Sequence, residues 1–367
     1  KARGIVKDKT LTLFITSAKG PEQKIDLPLK KKINLLAGVL EFLSAEDLKP
    51  GVSRTFHVFD PITMTERPVK VLMLEEETIP VMERQEEAKK VSVDFMGVSQ
   101  LAWIGKDGTV LREEGSLGVR LEQVTREEAL QKITLLPGTD LAEFASIPVN
   151  RVIRNVAQLN ELKLRLDGID GNALFLDGGR QSLQDKVLTI RRESISNLFF
   201  PSAQKVSKEV KTYLEPTPLI QSDHPEIKAK AQEILSANDS DLVKAGKLVK
   251  WVNENIQKRP VLSVPNALEI LHRRVGDCNE HAVLLTALAR AAGIPAEVEA
   301  GLVYQGGRFY YHAWNVLHLG TWITADSVKG QLPSDVTHIR LVRGAERQID
   351  LVRLIGKARI EILNYSK

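Results

Sequence analysis

The strongest constraint in the sequence is a segment in its last third that begins with Gly276-Asp277-Cys278 and ends with Gly293-Ile294-Pro295. Asp277 is followed three residues later by Glu280, a capping-box pattern that predicts a helix starting at Cys278. Apolar residues then recur at helical spacing, and the final Gly and Pro predict where the helix ends. Cys278 is the only cysteine. At this position the helix dipole favours the thiolate, and backbone N–H groups could hold an oxyanion.

Strand patterns follow the helix. Residues 296–304 and 308–317 are rich in Val, Tyr, Phe and Trp, and the glycine-containing segment between them predicts a β-hairpin. A third strand is expected at 321–326. If His318-Leu319-Gly320 forms a three-residue loop, Asp326 lies opposite His312 and on the same face. A two-residue loop would place the two side chains on opposite faces, so the pairing depends on the register.

A thiolate, a histidine and a carboxylate are the parts of a nucleophile, base and orienting group. In the order Gly276-Asp277-Cys278, Ala289-Arg290-Ala291-Ala292-Gly293-Ile294-Pro295, His312-Ala313-Trp314 and Asp326, the motifs resemble the core of bacterial transglutaminase-like cysteine enzymes. The resemblance covers roughly residues 225–344. It implies that Cys278 is the nucleophile, that His312 is the general base and acid, and that Asp326 orients His312.

Two positions depart from the family's pattern. Val316 stands where many relatives carry Glu, and Ser327 stands where many carry Pro. Neither belongs to the three residues above, and the acyl acceptor stays open. In papain-like arrangements a side chain upstream of the cysteine supplies a second oxyanion donor. The indole of Trp251 is a candidate for that role, and a packed aromatic ring is the competing interpretation.

Each of these residues also has a purely structural interpretation, since a single cysteine is often a small buried hydrophobe. Their combination in one capped helix and one hairpin favours catalysis. A zinc site needs three or four ligands, and beyond Cys278 and His281 the other histidines show no ligand-like spacing. Neither an EF-hand calcium loop nor a phosphate-binding glycine pattern is present. We therefore expect no metal and no cofactor.

The length of 367 residues predicts two or three domains. Residues 1–140 carry mostly strand patterns and are expected to form a β-rich N-terminal domain. A second β-rich region is expected at 141–214, either separate or part of the same domain. Prolines at 216, 218 and 225 favour a connection before the catalytic core, which we place at 215–367.

Charge and hydropathy limit the partners. Lys and Arg number 51 against 47 Asp and Glu, with mixed signs along the chain, so nucleic-acid binding is not indicated. The expected partner is a protein or peptide substrate. No apolar run reaches the ~18 residues of a membrane span, and no transmembrane segment is expected. The chain begins at Lys1 rather than Met, which suggests an exported or cell-envelope protein whose leader or anchor is absent from this sequence.

Together these patterns predict an α+β protein with β-rich N-terminal regions and a transglutaminase-like, papain-related core of helices packed on an antiparallel sheet. The resemblance implies that Cys278 forms a thioester with a carboxamide or peptide carbonyl. Water would resolve it in a peptidase or amidase, and an amine would resolve it in a transglutaminase. Hydrolysis is favoured because no sequence feature identifies an amine site. The alternative is a non-catalytic module that binds a protein or cell-wall polymer.

Overall fold

The computed structural model describes most of the chain. The described residues are 2–15, 23–31, 33–34, 39, 49–60, 65–81, 84–95, 98–115, 120–131, 146–169, 174–195, 207–259, 261 and 266–367. They divide into two compact units, Lys1–Ala145 and Ser146–Lys367. The α+β class predicted from the sequence is confirmed.

The described residues of the first unit lie mostly in antiparallel strands. Its three-stranded sheet contains β1 (Ala2–Lys7), β2 (Thr10–Ile15) and β3 (Gln23–Pro28). Its six-stranded sheet contains β4 (Ser53–Asp60), β5 (Thr65–Val81), β6 (Arg84–Phe95), β7 (Val98–Gly105), β8 (Val110–Glu114) and β9 (Arg120–Glu122) in chain order. Helix α1 (Arg126–Gln131) follows. Each strand of the larger sheet pairs with the next, as hairpin connections require.

Strand β5 continues through the acidic residues 75–77. The structure stabilises these carboxylates across the sheet. Lys90 Nζ lies 2.9 Å from Glu75 Oε1, and Trp103 Nε1 donates to Glu77 Oε1 at 2.7 Å. Opposite-charge pairs on neighbouring strands support an acidic segment that strand propensity alone disfavours.

The described residues of the second unit form two antiparallel sheets and one short parallel pair, β14 (Gln257–Lys258) with β15 (Val275–Gly276). The four-stranded sheet has the order β12 (Gln181–Gln184), β13 (Val187–Arg191), β11 (Glu161–Asp167) and β20 (Arg359–Ser366). The five-stranded sheet has the order β10 (Ile147–Pro148), β17 (Arg308–His318), β16 (Ala296–Gln305) and β19 (His338–Arg343), with β18 (Trp322–Ala325) also paired to β17. Leu162, Leu164 and Leu166 alternate with polar residues along β11, and all three are buried.

The described residues of this unit also form five α-helices. Helix α2 is the single turn Lys208–Lys211, and the longer helices are α3 (Pro225–Ile234), α4 (Asp241–Asn255), α5 (Ala267–Arg273) and α6 (Cys278–Ala291). Helix α6 contacts α3, α4 and α5 as well as β16 and β17. Residues 280–290 are consequently all buried, whereas the sequence pattern predicted a single buried face. No helix in the described ranges is long and apolar enough to cross a membrane.

Residues 146–214 belong to the same compact unit as the helices, so the expected boundary at 214/215 does not coincide with a division of the structure. The physical reason is the C-terminal strand β20, which pairs with β11 and brings the end of the chain back to residues 161–167. One hydrophobic core joins the apolar face of β11 to α6.

The proline-containing connection at 215–225 is also held against this core. Arg290 Nη1 donates to the carbonyl of Glu215 at 2.6 Å. The amide of Ala267 donates to the carbonyl of Leu219 at 2.9 Å, and Ile220 is 2% exposed. These contacts make the segment an integral part of the second unit rather than a linker.

If β20 completes this unit, Ile362→Ala should destabilise it as a whole. Ile362 is 2% exposed and pairs with Leu164, so its truncation leaves a cavity that costs about 2–4 kcal/mol of unfolding free energy. Glu361→Ala, at the neighbouring position, removes an exposed pair with Arg165 and should cost less than about 1 kcal/mol. Chemical denaturation with reactivity of Cys278 as a second probe checks both. If Ile362→Ala unfolds β20 at a denaturant concentration that leaves the reactivity of Cys278 unchanged, the two do not share a core.

Candidate active site

The N-terminus of α6 has the capping box that the sequence predicted. The Asp277 side chain accepts a hydrogen bond from the amide of Asn279 at 3.0 Å, and Glu280 Oε2 accepts one from the amide of Asp277 at 2.9 Å. Burial, together with neighbouring Asp277, raises the pKa of the Glu280 carboxyl to about 7. Cys278 therefore occupies the first position of a helix whose start is fixed on both sides.

Gly276 is required at this start for a steric reason. A Cβ at this position would lie 2.2 Å from Glu280 Cβ, far inside van der Waals contact. The glycine allows the Glu280 side chain to fold back over the turn that carries Cys278. The Gly-Asp-Cys motif thus has a structural explanation at each of its first two positions.

The β-hairpin beside α6 has the predicted strands. Its turn, Gly306-Gly307, has positive φ at both residues (59° and 92°), the backbone that a two-residue turn of this type needs. The next connection is a three-residue loop, as expected, but it comprises Leu319-Gly320-Thr321 because His318 pairs with Trp322. The predicted loop was wrong by one residue.

Because the loop is displaced by one residue, the register between β17 and β18 differs from the predicted one by two residues. His312 and Asp326 therefore still lie on the same face of the sheet. Asn315 pairs with Ala325, so Asp326 follows the end of β18 opposite Trp314, and His312 is its diagonal neighbour. His312 Nε2 lies 2.9 Å from Asp326 Oδ2. A diagonal pair of long side chains is within reach across antiparallel strands, and the predicted contact forms by this route.

Cys278, His312 and Asp326 thus lie together. The Cys278 side chain is a hydrogen-bond neighbour of the His312 ring. Because Nε2 is bonded to Asp326, Nδ1 is the ring nitrogen that is left for the thiol. Burial alone would lower the pKa of His312, but Asp326 and Cys278 raise it to about 9. At neutral pH His312 is therefore an imidazolium, the partner that stabilises an adjacent thiolate.

Asp326 is completely buried, and its two carboxylate oxygens are satisfied. Oδ1 accepts the backbone N–H of Lys329 at 3.0 Å. Oδ2 lies 2.9 Å from His312 Nε2 and 3.0 Å from His338 Nε2. Burial would raise the pKa of Asp326, yet the hydrogen bonds from the two histidines hold it well below its usual range. Asp326 is consequently an anion throughout the neutral range.

His338 and Asp335 are functional-site residues that the sequence analysis missed. His338 lies on β19 and is completely buried, and its Nδ1 is 3.3 Å from Asp335 Oδ1. Asp335 also accepts hydrogen bonds from the amide and hydroxyl of Thr337. Local spacing does not reveal these contacts, because β19 pairs with β16 and reaches Asp326 only in the folded sheet. The turn-forming sequence Ser334-Asp335 was the available signal.

Trp314, of the His312-Ala313-Trp314 motif, packs against both imidazoles. Its ring centroid is 6.2 Å from that of His312 and 5.2 Å from that of His338. Its Nε1 donates to Glu299 Oε2 at 3.1 Å, and Glu299 in turn lies 2.7 Å from Arg343 Nη2. This buried network fixes the indole, which limits the rotation of both histidines.

The two departures from the family's pattern lie near the site without occupying it. Val316 is buried and pairs with Thr324 in the hairpin. The carbonyl of Ser327 accepts a hydrogen bond from Asn253 Nδ2 at 2.7 Å, which ties α4 to the turn after Asp326. The Ser327 hydroxyl is buried and has no hydrogen-bond partner among the described residues.

Trp251, proposed as an oxyanion donor, lies on α4 between two cations. Lys230 Nζ is 5.7 Å and Arg274 Cζ is 5.3 Å from its ring centroid. These contacts explain the ring as a packed aromatic with cation–π partners. Neither of these contacts brings the indole N–H to Cys278, so the catalytic role of Trp251 stays a prediction.

His312, Asp326 and His338 also have the side-chain types of a metal site, since their donor atoms lie within 4.8 Å of one another. Each of these atoms, however, is part of the hydrogen-bonded chain described above. A metal ion would have to replace these bonds in a place where Asp326 and His338 are fully buried. The geometry therefore fits a proton-bearing chain better than a metal centre.

Gly276→Ala should disturb Cys278 without touching it. The added Cβ displaces Glu280, and we expect a loss of about 1–3 kcal/mol in unfolding free energy and slower alkylation of Cys278 at neutral pH. Gly246→Ala is the matched control, because nothing lies within 4 Å of its added Cβ in α4, and a helical Ala should be neutral or stabilising by roughly 0.5–1 kcal/mol. Urea denaturation and iodoacetamide labelling measure both. Equal behaviour of the two variants would show that Gly276 has no special role.

The region of the chain that contains this site is similar to a known protein family. Residues 228–327 match the model of the transglutaminase-like superfamily. No curated protein is significantly similar to the chain. Among solved structures, the chain is similar to a candidate cysteine protease from Cytophaga hutchinsonii, with 15% identity, a TM-score of 0.37, and coverage of 56% of this chain and 85% of that chain. It is also similar to the periplasmic domain of TgpA from Pseudomonas aeruginosa, with 17% identity, a TM-score of 0.32, and coverage of 52% and 91%.

Both TM-scores are low, so the family model carries the assignment. The matched region contains Cys278, His312 and Asp326, and it includes all of α4, α5 and α6. Residues 228–327 therefore match a transglutaminase-like domain.

Proposed function

We propose that the protein is a cysteine-dependent acyl hydrolase that cleaves a peptide or amide bond through a thioester on Cys278. The observation that carries this proposal is the chain from Cys278 through His312 to the buried anion Asp326. A purely structural site has no need of an imidazolium held between a thiol and a buried carboxylate. This arrangement matches the requirements of a nucleophile, a base and an orienting group.

In the resting ion pair, His312 already holds the proton of the Cys278 thiol at Nδ1, and in the first half of the reaction the thiolate sulfur attacks the substrate carbonyl carbon. The tetrahedral intermediate collapses when the C–N bond breaks and Nδ1 returns the proton to the leaving amine. The Cys278 N–H lies in the first turn of α6, where no helical carbonyl can accept it, and it is the first oxyanion donor. Trp251 stays a candidate for the second.

In the second half, neutral His312 removes a proton from water, which attacks the thioester carbon. The C–S bond breaks, the acid product leaves, and the Cys278 thiolate is restored beside His312, which keeps the proton taken from water. A primary amine in place of water would give acyl transfer. Asp326 accepts a hydrogen bond from His312 Nε2 throughout, which fixes the ring orientation and stabilises the imidazolium.

The pH dependence of Cys278 alkylation tests the thiol–imidazole pair. Because His312 has a raised pKa of about 9, it is cationic below that value and loses this charge as the pH rises through it. Iodoacetamide should therefore label Cys278 well below pH ~8.5, where an ordinary thiol becomes reactive. His312→Gln should move the midpoint up to that of an ordinary thiol, and His318→Gln on the same strand should not. A wild-type profile like that of a free thiol would argue against activation.

Acylation tests the chemistry itself. With p-nitrophenyl acetate, we expect one equivalent of p-nitrophenolate per chain in a burst that Cys278→Ala abolishes. Asp326→Asn places an amide donor against N–H groups, and single-turnover acylation should slow by ~10²–10⁴-fold. The melting temperature reports how much of this loss reflects folding. Unchanged acylation at an unchanged melting temperature would leave at most a dyad of Cys278 and His312.

Partitioning of the acetyl-enzyme separates hydrolysis from transfer. We expect added putrescine to leave the deacylation rate unchanged, because no amine site has been identified. Acceleration with formation of acetylputrescine would instead assign a transferase. A chain that binds peptides but shows no burst would be the non-catalytic module.

A further inference from the structure

The hydrogen bonds around His338 determine its charge. Nε2 lies 3.0 Å from Asp326 Oδ2, and Nδ1 lies 3.2 Å from the carbonyl and 3.3 Å from Oδ1 of Asp335. All three partners are acceptors, because a carbonyl oxygen and an ionised carboxylate have no proton to give. A neutral imidazole can donate through only one nitrogen and would direct a lone pair at the other acceptor. Only the imidazolium satisfies both sides.

The groups that face this ring support the same charge. The titratable neighbours are Asp326 after β18, Asp335 before β19, and His312 on β17, whose ring centroid is 6.1 Å away. Trp314 packs edge-on at 5.2 Å. Arg180 approaches the same segment, but its guanidinium donates to the backbone carbonyl of His338 at 2.9 Å. Two carboxylates against one neighbouring histidine leave a net negative surrounding, which favours a cation at His338.

We propose that His338 is a positioning residue: a permanently protonated imidazole that holds the Asp326 carboxylate through Nε2 and is itself held through Nδ1 by Asp335. This inference rests on the proposed function, since Asp326 matters only if His312 acts. It extends the three-residue site to five residues with alternating charge. His312 exchanges a proton in each half of the reaction, whereas His338 is completely buried and keeps its proton.

This arrangement solves a problem created by burial. When His312 becomes neutral after protonating the leaving amine, Asp326 would be a buried anion without a cationic partner, which is costly. The carboxylate could then take up a proton or rotate, and either change would release the ring of His312. With His338 cationic, Asp326 stays ionised and oriented in both states of His312. The permanent positive charge is therefore on His338, and the proton that is exchanged during the reaction is on His312.

Two substitutions at His338 separate the hydrogen bond from the charge. His338→Gln can place its amide nitrogen near the position of Nε2 and keep the bond to Asp326 without the charge. In His338→Asn the shorter amide can reach only Asp335, so this variant loses both the hydrogen bond to Asp326 and the positive charge. Removing a nearby positive charge raises the pH at which neighbouring groups give up protons. Both variants should therefore shift the midpoint of the Cys278 alkylation profile upward by on the order of 1 pH unit.

The two variants should differ in acylation. His338→Gln should retain single-turnover acylation by p-nitrophenyl acetate within about tenfold at the pH of its shifted optimum, whereas His338→Asn should lose ~10²-fold or more. Asp335→Asn removes one negative charge and also weakens the positive charge on His338, and because these two changes act in opposite directions, its alkylation midpoint should stay near that of the wild type. His318→Gln, which removes a histidine outside the chain of contacts, should cause no shift.

The alkylation profile needs only the thiol and His312, so it reports on His338 even if the wild-type protein fails to acylate. An absent burst in the wild type would overturn the proposed function. An unchanged alkylation midpoint in His338→Gln and His338→Asn, with only the melting temperature lowered, would overturn the role of His338 and make it a packing residue. If neither His338 variant folds, ¹⁵N spectra of the wild-type histidines, with ring signals assigned through the backbone, decide: two protonated ring nitrogens on His338 at neutral pH support the proposal, and one contradicts it.

Discussion

The buried carboxylate of Asp326 is the interaction on which the site depends. An ionised carboxylate without solvent is stable only when hydrogen bonds and opposite charges replace its hydration. Here one carboxylate oxygen accepts a hydrogen bond from the backbone N–H of Lys329, and the other accepts hydrogen bonds from Nε2 of two histidines. These three donors come from different parts of the chain, so the anion forms only when the turn after β18, the hairpin and β19 are all in place. Formation of the site therefore depends on complete folding around the Asp326 carboxylate.

The surrounding structure brings the thiol to this anion. Helix α6 is enclosed by three helices and two strands, and its first turn is fixed by the capping box of Asp277 and Glu280. Asn253 on α4 binds the carbonyls of Ser327 and Val328 and thereby holds the turn that follows Asp326. Rigid support of this kind on helices and strands keeps reacting groups within the small tolerance that acyl transfer requires.

The sequence predicted the local parts of this arrangement well. The capping box, the helix end at Gly293 and the Gly306-Gly307 turn are set by residues a few positions apart, so local chemistry identifies them. The hairpin loop was displaced by one residue, and the His312–Asp326 contact survived only because a shift of two in register preserves the face.

The distant parts could not be predicted. His338 reaches Asp326 through the pairing of β19 with β16, and residues 146–214 join the second unit through β20, at the far end of the chain. Periodicity within a segment carries no information about which segment it will meet. Buried charges such as Asp326 and His338 are especially difficult, because each is unfavourable until its partner arrives.

The protonation state of His338 is the most direct test of this account. In protein labelled with ¹⁵N at histidine, with signals assigned by comparison with His338→Gln, NMR spectra from about pH 5 to 8 report how many ring nitrogens carry a proton. We predict that both ring nitrogens of His338 are protonated throughout this pH range, and that His312 is also cationic throughout it. A His338 ring with one protonated nitrogen at neutral pH would contradict the alternating chain of charges and leave Asp326 with His312 as its only ionic partner.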